Sequence, residues 1–202
     1  MTQKQKEILF GALLGDASLQ TYTGGKTWRA RFIKSNAHQE YLFYLYSIFS
    51  PFVSTPPKSI SDDNGNVSWY FNTTASSDLK EFGDCFYIKI GGKFLKIVPT
   101  NSQLVKYLTP LALSFWYMDD GTHKSNSNAY YLCTDCFSLK DLKRLGEYFL
   151  FTSGITVSYH KIGRNYRIYI PRVYYEKFKT LILPSMHPSM LHKATIKNGE
   201  EI

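Results

Sequence analysis

Leu113-Ser-Phe-Trp-Tyr-Met-Asp119-Asp120-Gly121 is an apolar, helix-like run that ends on acid. A fainter copy stands near the N-terminus as Leu9-Phe-Gly-Ala-Leu-Leu-Gly15-Asp16-Ala17. Each nonamer carries an acid at its eighth position, Asp16 in the first and Asp120 in the second, about half a chain apart. Each half therefore offers one carboxylate from the end of the same kind of element. Such a pair suits chemistry performed twice, on something that has two equivalent sides.

Outward from the nonamers the chain parses as one unit written twice. In the first half, residues 4–16 have helical periodicity, with Ile8, Gly11, Ala12 and Gly15 on one stripe. Residues 18–32 form two strands around Gly24-Gly25, and residues 38–49 an amphipathic helix stopped by Pro51. Two more strands flank Asp63-Asn-Gly65, and a third helix covers residues 78–86. The second half repeats the order. Pro110 opens a helix to Asp120, with Thr109 as its N-cap. A strand over residues 130–136 follows, and Ser138-Leu-Lys-Asp141 is a capping box that opens a helix to Leu150. A hairpin of residues 156–161 and 166–170 turns at Gly163-Arg164, and a last helix runs through Leu183.

Matching landmarks keep this order. Asn66-Val-Ser-Trp-Tyr-Phe aligns with Asn165-Tyr-Arg-Ile-Tyr-Ile, and Lys96 in Phe-Leu-Lys-Ile aligns with Lys193 in Leu-His-Lys-Ala. The slowly shrinking offset is what small loop deletions leave in a duplicated unit. Residues 88–108, with Gly91-Gly92 and Pro99, read as the connection. The expected organisation is an N-terminal repeat at 1–95, a connecting segment at 96–108 and a C-terminal repeat at 109–202. The fold class is α+β, each repeat in the order αββαββα.

The chain has 202 residues, 44% of them apolar, enough to bury a core of one large domain or two packed halves. Its 24 Lys and Arg against 16 acids leave a formal charge of +8, spread along the sequence, which favours an anionic partner. Cys85, Cys133 and Cys136 are too few for a disulfide framework, and the Cys133-x-x-Cys136 pair has no second pair to close a zinc site. Cys133 and Cys136 are expected to be two small, partly buried residues. No apolar run approaches the roughly 20 residues that span a bilayer. With a polar N-terminus and no visible signal peptide, the expectation is a soluble protein in a reducing compartment.

Alternation within the strands points to nucleic acid. In Thr27-Trp-Arg-Ala-Arg-Phe32, Arg29 and Arg31 share one face while Trp28, Ala30 and Phe32 share the other. Near the end, Arg167 and Tyr169 lie opposite Tyr166, Ile168 and Ile170. A solvent-facing sheet carrying Arg and Tyr can enter a major groove, where bidentate pairs discriminate bases by about 1–3 kcal/mol each. Lys26, Lys34, Lys124, Lys161 and Arg164, at loops and strand ends, suit phosphate contacts. Phosphodiester hydrolysis then gives the acids a task, since carboxylates can hold a divalent metal, and Mg²⁺ prefers few carboxylates plus water and phosphate oxygen. If the two helices pack side by side, Asp16 and Asp120 come together, and the Gly11-x-x-x-Gly15 stripe permits that approach.

The two nonamers, with the longer stretch Tyr107-Leu-Thr-Pro-Leu-Ala-Leu-Ser-Phe-Trp-Tyr-Met-Asp-Asp-Gly, resemble the motifs of the LAGLIDADG homing endonucleases, specifically the single-chain, two-motif type encoded in introns. The resemblance covers nearly the whole chain. It implies paired antiparallel-sheet saddles over double-stranded DNA, with the motif helices as the central interface. It implies a monomer that cuts both strands across the minor groove of a long, partly asymmetric site, leaving short 3′ overhangs. The cofactor would be Mg²⁺, with Mn²⁺ able to substitute. Asp16 and Asp120 match the family's metal-binding acids. The carbonyls of Gly15 and Asp119 complete the coordination, and Lys96 and Lys193 stand near the scissile phosphates. An organelle interior, mitochondrion or plastid, is the implied location. An alternative on the same fold is an RNA maturase that assists splicing of its host intron. Three departures stand out: Ala17 replaces a glycine, and Phe115 and Asp119 occupy positions of small residues. The helix pair must then be asymmetric, with two cleavage sites of unequal rate.

Overall fold

A computed structural model describes residues 1–124 and 127–195; the end of the expected C-terminal repeat, residues 196–202, lies outside the described residues, as do 125 and 126. The first half runs α1 (Gln3–Leu14), β1 (Ser18–Gln20), β2 (Arg29–Ser35), α2 (Gln39–Phe49), β3 (Lys58–Ser61), β4 (Val67–Asn72) and α3 (Lys80–Phe86). The second runs α5 (Pro110–Asp120), β7 (Gly121–Lys124), β8 (Ala129–Leu132), α6 (Leu139–Ser153), β9 (Ser158–Ile162), β10 (Asn165–Ile170) and α7 (Tyr175–Ile182). Each half has an antiparallel four-stranded sheet, and the strand orders match: β1-β2-β4-β3 and β7-β8-β10-β9. The chain is thus α+β, with the order αββαββα in both halves.

Residues 88–108 are more than a plain connection. They contain most of a hairpin, β5 (Tyr87–Ile90) and β6 (Lys93–Lys96), turning at Gly91-Gly92, and then α4 (Asn101–Tyr107). The hairpin docks on the first sheet. The Tyr87 and Phe94 rings lie 5.2 and 4.9 Å from Trp28, and the Tyr87 hydroxyl accepts from the Leu19 amide. Two other expectations need correction. The strand placed at 130–136 ends at Leu132, because Phe137 N bonds back to Thr134 O and closes a turn. Strand β7 follows α5 with no loop, so four residues carry too little pattern to register. The hairpin expected to turn at Gly24-Gly25 also closes through a longer loop, since β1 ends at Gln20 and β2 begins at Arg29.

The ladders refine the repeat alignment. Ser18 pairs with Arg31, and Thr122, its counterpart by the nonamers, pairs with Tyr131. Arg31 in turn pairs with Asn72 and Tyr131 with Tyr169. Asn72 therefore corresponds to Tyr169, two residues away from the alignment of Asn66 with Asn165.

The core is centred on α1 and α5. Ile8 to Leu14 and Ala112 to Met118 are buried on every side, unlike surface helices with one apolar stripe. Each fully buried Leu or Phe contributes about 1.5–3 kcal/mol of transfer free energy. Inside α5, Ser114 donates its hydroxyl proton at 2.8 Å to Pro110 O or 2.7 Å to Ile182 O, whereas the buried Trp116 Nε1–H has no partner among the described residues. Capping fixes both helix starts. Thr2 and Gln5 form a reciprocal box at α1, and Thr109 caps α5 while its hydroxyl reaches Glu7 of α1 at 2.7 Å. Ser138 caps α6 through the Asp141 amide, but Asp141 bonds the serine hydroxyl instead of closing a box onto the backbone. Among the described residues no helix is long and apolar enough to cross a membrane. Cys85 is buried, Cys133 half-buried and Cys136 exposed, so the last departs from the expected partial burial.

Candidate active site

Helices α1 and α5 meet backbone to backbone. A Cβ on Gly11 would lie 2.0 Å from the Ala112 carbonyl oxygen, and one on Gly15 would lie 2.5 Å from the Asp119 Cβ. Both glycines of the stripe are therefore required at the contact. The helix ends come out side by side: the Asp16 amide donates to Asp119 Oδ2 at 3.2 Å. Lys34 fills the space between them. Its ammonium donates to Asp119 Oδ1 at 2.5 Å and to Asp16 Oδ2 at 2.8 Å, and sits 5.3 Å from the Tyr41 ring.

Lys34 is not the exposed strand-end residue, open to a phosphate, that was expected. Its side chain is 5% exposed and that of Asp119 is 1% exposed, whereas Asp16 is 47% exposed. The reason is strand parity: residue 34 shares a face with Trp28, Ala30 and Phe32, all of them buried.

Lys96 and Lys193 reach the same helix ends from different elements. Lys96, at the end of β6, donates to the carbonyls of Gly15 at 3.0 Å and Ala17 at 3.1 Å. Lys193 lies on a 3₁₀ segment, Pro188–Lys193, and donates to Met118 O and Asp119 O, both at 2.7 Å. The Tyr117 hydroxyl pins that segment by donating to Lys193 O at 2.6 Å. The sequence-aligned lysines thus meet equivalent carbonyls, one on each helix.

Charge in this cluster is unevenly distributed. Burial works to raise the Asp16 carboxyl, but the Lys34 charge and hydrogen bond outweigh it and hold Asp16 below its usual range. Burial pushes Asp120 up to about 7, helped by the charges of Asp16 and Asp119. Burial also lowers Lys96 and Lys193. Lys34 goes the other way: desolvation opposes its charge, but Asp119 and Asp16 more than restore it. Among the described residues no salt bridge reaches Asp120.

The outward faces of the two sheets carry the remaining candidates. On the first, cross-strand pairing sets Ser18, Arg31 and Asn72 in one row and Gln20 beside Arg29. Arg29 is held by Gln20 Oε1 and the Tyr22 hydroxyl, at 3.0 and 2.9 Å, and the Arg31 guanidinium stacks 4.3 Å from the Tyr70 ring. On the second, Arg167 pairs with His160 across the ladder and donates to Asp135 at 2.8 Å, while Tyr169 stacks on His160 at 4.3 Å. Lys26, Lys124 and Arg164 are exposed at loops and strand ends. Lys161 is exposed too, but it pairs with Tyr166 and so falls on the face opposite Arg167. Gln20, Asn72, Tyr70 and His160 escaped the sequence reading, and strand parity across the paired registers was the signal that marks them.

A family model described as the LAGLIDADG DNA endonuclease family matches residues 6–178. The chain belongs to that family. DNA endonuclease I-ChuI of Chlamydomonas applanata is 37% identical, over 98% of this chain and 97% of its own length. Cytochrome b mRNA maturase bI2 of Debaryomyces hansenii is 29% identical, over 92% of this chain and 73% of its own. The structure of the homing endonuclease I-WcaI bound to its DNA recognition sequence superposes with a TM-score of 0.85, covering 96% of this chain and 87% of that one at 24% identity. The fold is therefore that of a LAGLIDADG homing endonuclease, and the chain belongs among nucleases.

Membership brings a divalent metal into question, and the donor set fits one. Asp16 and Asp120 are hard oxygen donors at the adjoining helix ends, with the carbonyls of Gly15 and Asp119 beside them. Among the described residues no three His, Cys, Asp or Glu side chains form a metal-holding group. A sparse pair of carboxylates suits Mg²⁺, which keeps several waters, better than a soft metal that wants a full cage.

Proposed function

We propose that this chain is a site-specific endonuclease of double-stranded DNA that hydrolyses one phosphodiester in each strand, across the minor groove, leaving short 3′ overhangs. Mg²⁺, with Mn²⁺ able to substitute, is held by Asp16 and Asp120 with help from the carbonyls of Gly15 and Asp119. When bound, the metal supplies an activated water and neutralises charge at the phosphorus and the leaving oxygen. The protein does the rest. Gly11 and Gly15 let the helices close until the two acids neighbour each other. Lys96 and Lys193 hold the helix-end carbonyls in place, and from there their ammonium groups would face a phosphate brought to the acids. The outward faces carrying Arg29, Arg31, Arg167 and Tyr169 lie along the grooves, while Lys26, Lys124 and Arg164 contact phosphates; Lys161, on the face opposite Arg167, is left out of that set. Both acids come from one chain, so a monomer is sufficient.

One observation carries this reading: two carboxylates, one from each half, emerge side by side from a glycine-mediated helix contact between two basic sheets. The test is incubation of the purified protein with a randomised duplex library, with and without Mg²⁺, followed by sequencing of cut ends. Metal-dependent ends that share a sequence and bear 3′ overhangs support the proposal. Uncut DNA under all metals removes it. A second reading, an RNA maturase acting on its host intron, has support from the similarity to the Debaryomyces hansenii maturase. Splicing of an intron RNA assisted by protein that cuts no DNA would favour it.

A further inference from the structure

Two departures from the internal repeat meet in space. Asp119 stands where the first nonamer has Gly15. By the ladder equivalence of Arg31 with Tyr131, Lys34 stands where the second half has Thr134. Thr134 is buried and neutral, its hydroxyl donating to Tyr166 O at 3.1 Å. Either departure alone would bury a bare charge at the helix contact. Together they make an ion pair at 2.5 Å, which also takes in Asp16 at 2.8 Å.

We propose that Lys34 is a positioning residue, an internal cation that ties Asp16 to Asp119 on the opposing helix and makes the two acid positions unequal. The tie has two parts. Lys34 bridges the carboxylates, and the Asp16 amide donates to Asp119 Oδ2 at 3.2 Å. Cross-strand pairing anchors Lys34 itself in the ladder of the first sheet, opposite Trp69 of β4. The placement of Asp16 is therefore coupled to the sheet that carries Arg29 and Arg31. Asp120 has no such bridge among the described residues. Asp120 would be open to a divalent cation without losing a partner, whereas Asp16 would share its carboxylate between that cation and the Lys34 ammonium. The strand served by Asp120 is consequently cut ahead of the other.

This inference rests on the nuclease reading, so its test separates the two. Thermal unfolding of metal-free, DNA-free wild type, K34M, D119G and K34M/D119G gives a double-mutant cycle. K34M leaves Asp119 buried and unpaired and should unfold about 10 °C below wild type. K34M/D119G should recover at least half of that loss, and a K34M protein that does not fold beside a double variant that does is the same result. On a plasmid carrying a site the wild type cuts, with each strand labelled separately, wild type should nick one strand about fivefold faster, the equivalent of one partly exposed ion pair. In K34M/D119G that ratio should fall to near one. A pair serving stability alone would leave the ratio unchanged. Additive losses of stability, or an unaltered ratio, overturn the proposal. A wild type that cuts no DNA with any metal contradicts the nuclease reading instead, and the thermal cycle then decides the bridge by itself.

Discussion

Asp16 and Asp120 occupy equivalent positions in the two nonamers, yet their surroundings push them in opposite directions. Lys34 holds Asp16 below its ordinary value despite burial, and burial with two neighbouring acids lifts Asp120 to about 7. The linkage signs follow. Asp16 contributes stability that is present above the unfolded-state value of 3.8 and is lost as the pH falls through its lower folded value. Asp120 binds its proton more tightly when folded, so stability falls as the pH rises from 3.8 to about 7. In the metal-free protein, Asp120→Asn should therefore raise the melting temperature by several degrees at about pH 8, with no gain near pH 4, as expected when strain at a functional site is relieved. Asp16→Asn should lower it at neutral pH. Melting curves of both variants across pH check the pair of signs. Both acids were legible in the sequence because a fixed place in a repeated nonamer marks them. Lys34 was legible only in part. Its place at a strand end suggested a phosphate contact, while its even-numbered parity already put it on the face of Trp28 and Phe32.

Secondary-structure elements show where sequence pattern suffices and where contacts take over. The long helices announce themselves through periodicity, caps and stop residues, and α2, α5 and α6 lie within a few residues of their expected limits. Strand β7 and the β5–β6 hairpin did not, because four-residue strands carry barely two alternations. Their positions are set by partners: β7 by pairing with β8, and the hairpin by stacking of Tyr87 and Phe94 on Trp28. This matters for the site, since the hairpin delivers Lys96 to the end of α1. The α1–α5 contact is the element on which the acids depend. Gly11→Ala would force a methyl group to within 2.0 Å of a backbone oxygen that cannot rotate away. Such overpacking costs about 1–3 kcal/mol or more, a melting-temperature loss of roughly 5–10 °C. Calorimetry should show that loss, together with weaker cleavage at temperatures where the variant stays folded. An unchanged melting temperature would mean the helices stand farther apart than described.

Across the whole molecule, a charge of +8 and two sheets in matched order produce a surface suited to a long polyanion with two strands. Its contacts should sort into two kinds. Lys26→Ala should weaken DNA binding uniformly and reduce the salt dependence by about one counterion. Arg31, preorganised over Tyr70, should act on base edges, so Arg31→Ala should erode the preference for target over random DNA by about 1–3 kcal/mol. Titrations of specific and random duplexes over a salt series distinguish them, and equal loss on both duplexes would make Arg31 a phosphate contact. The target sequence is not written in these residues alone, because groove register depends on how DNA bends over the sheets. The central claim is that the paired helix-end acids perform the cutting. It is tested most directly by wild type, Asp16→Asn and Asp120→Asn on one cleavable duplex, with and without Mg²⁺. The account predicts metal-dependent double-strand cleavage by wild type alone, at least about 10³-fold faster than by either variant, with DNA affinity nearly unchanged. Undiminished cutting by both variants would contradict it.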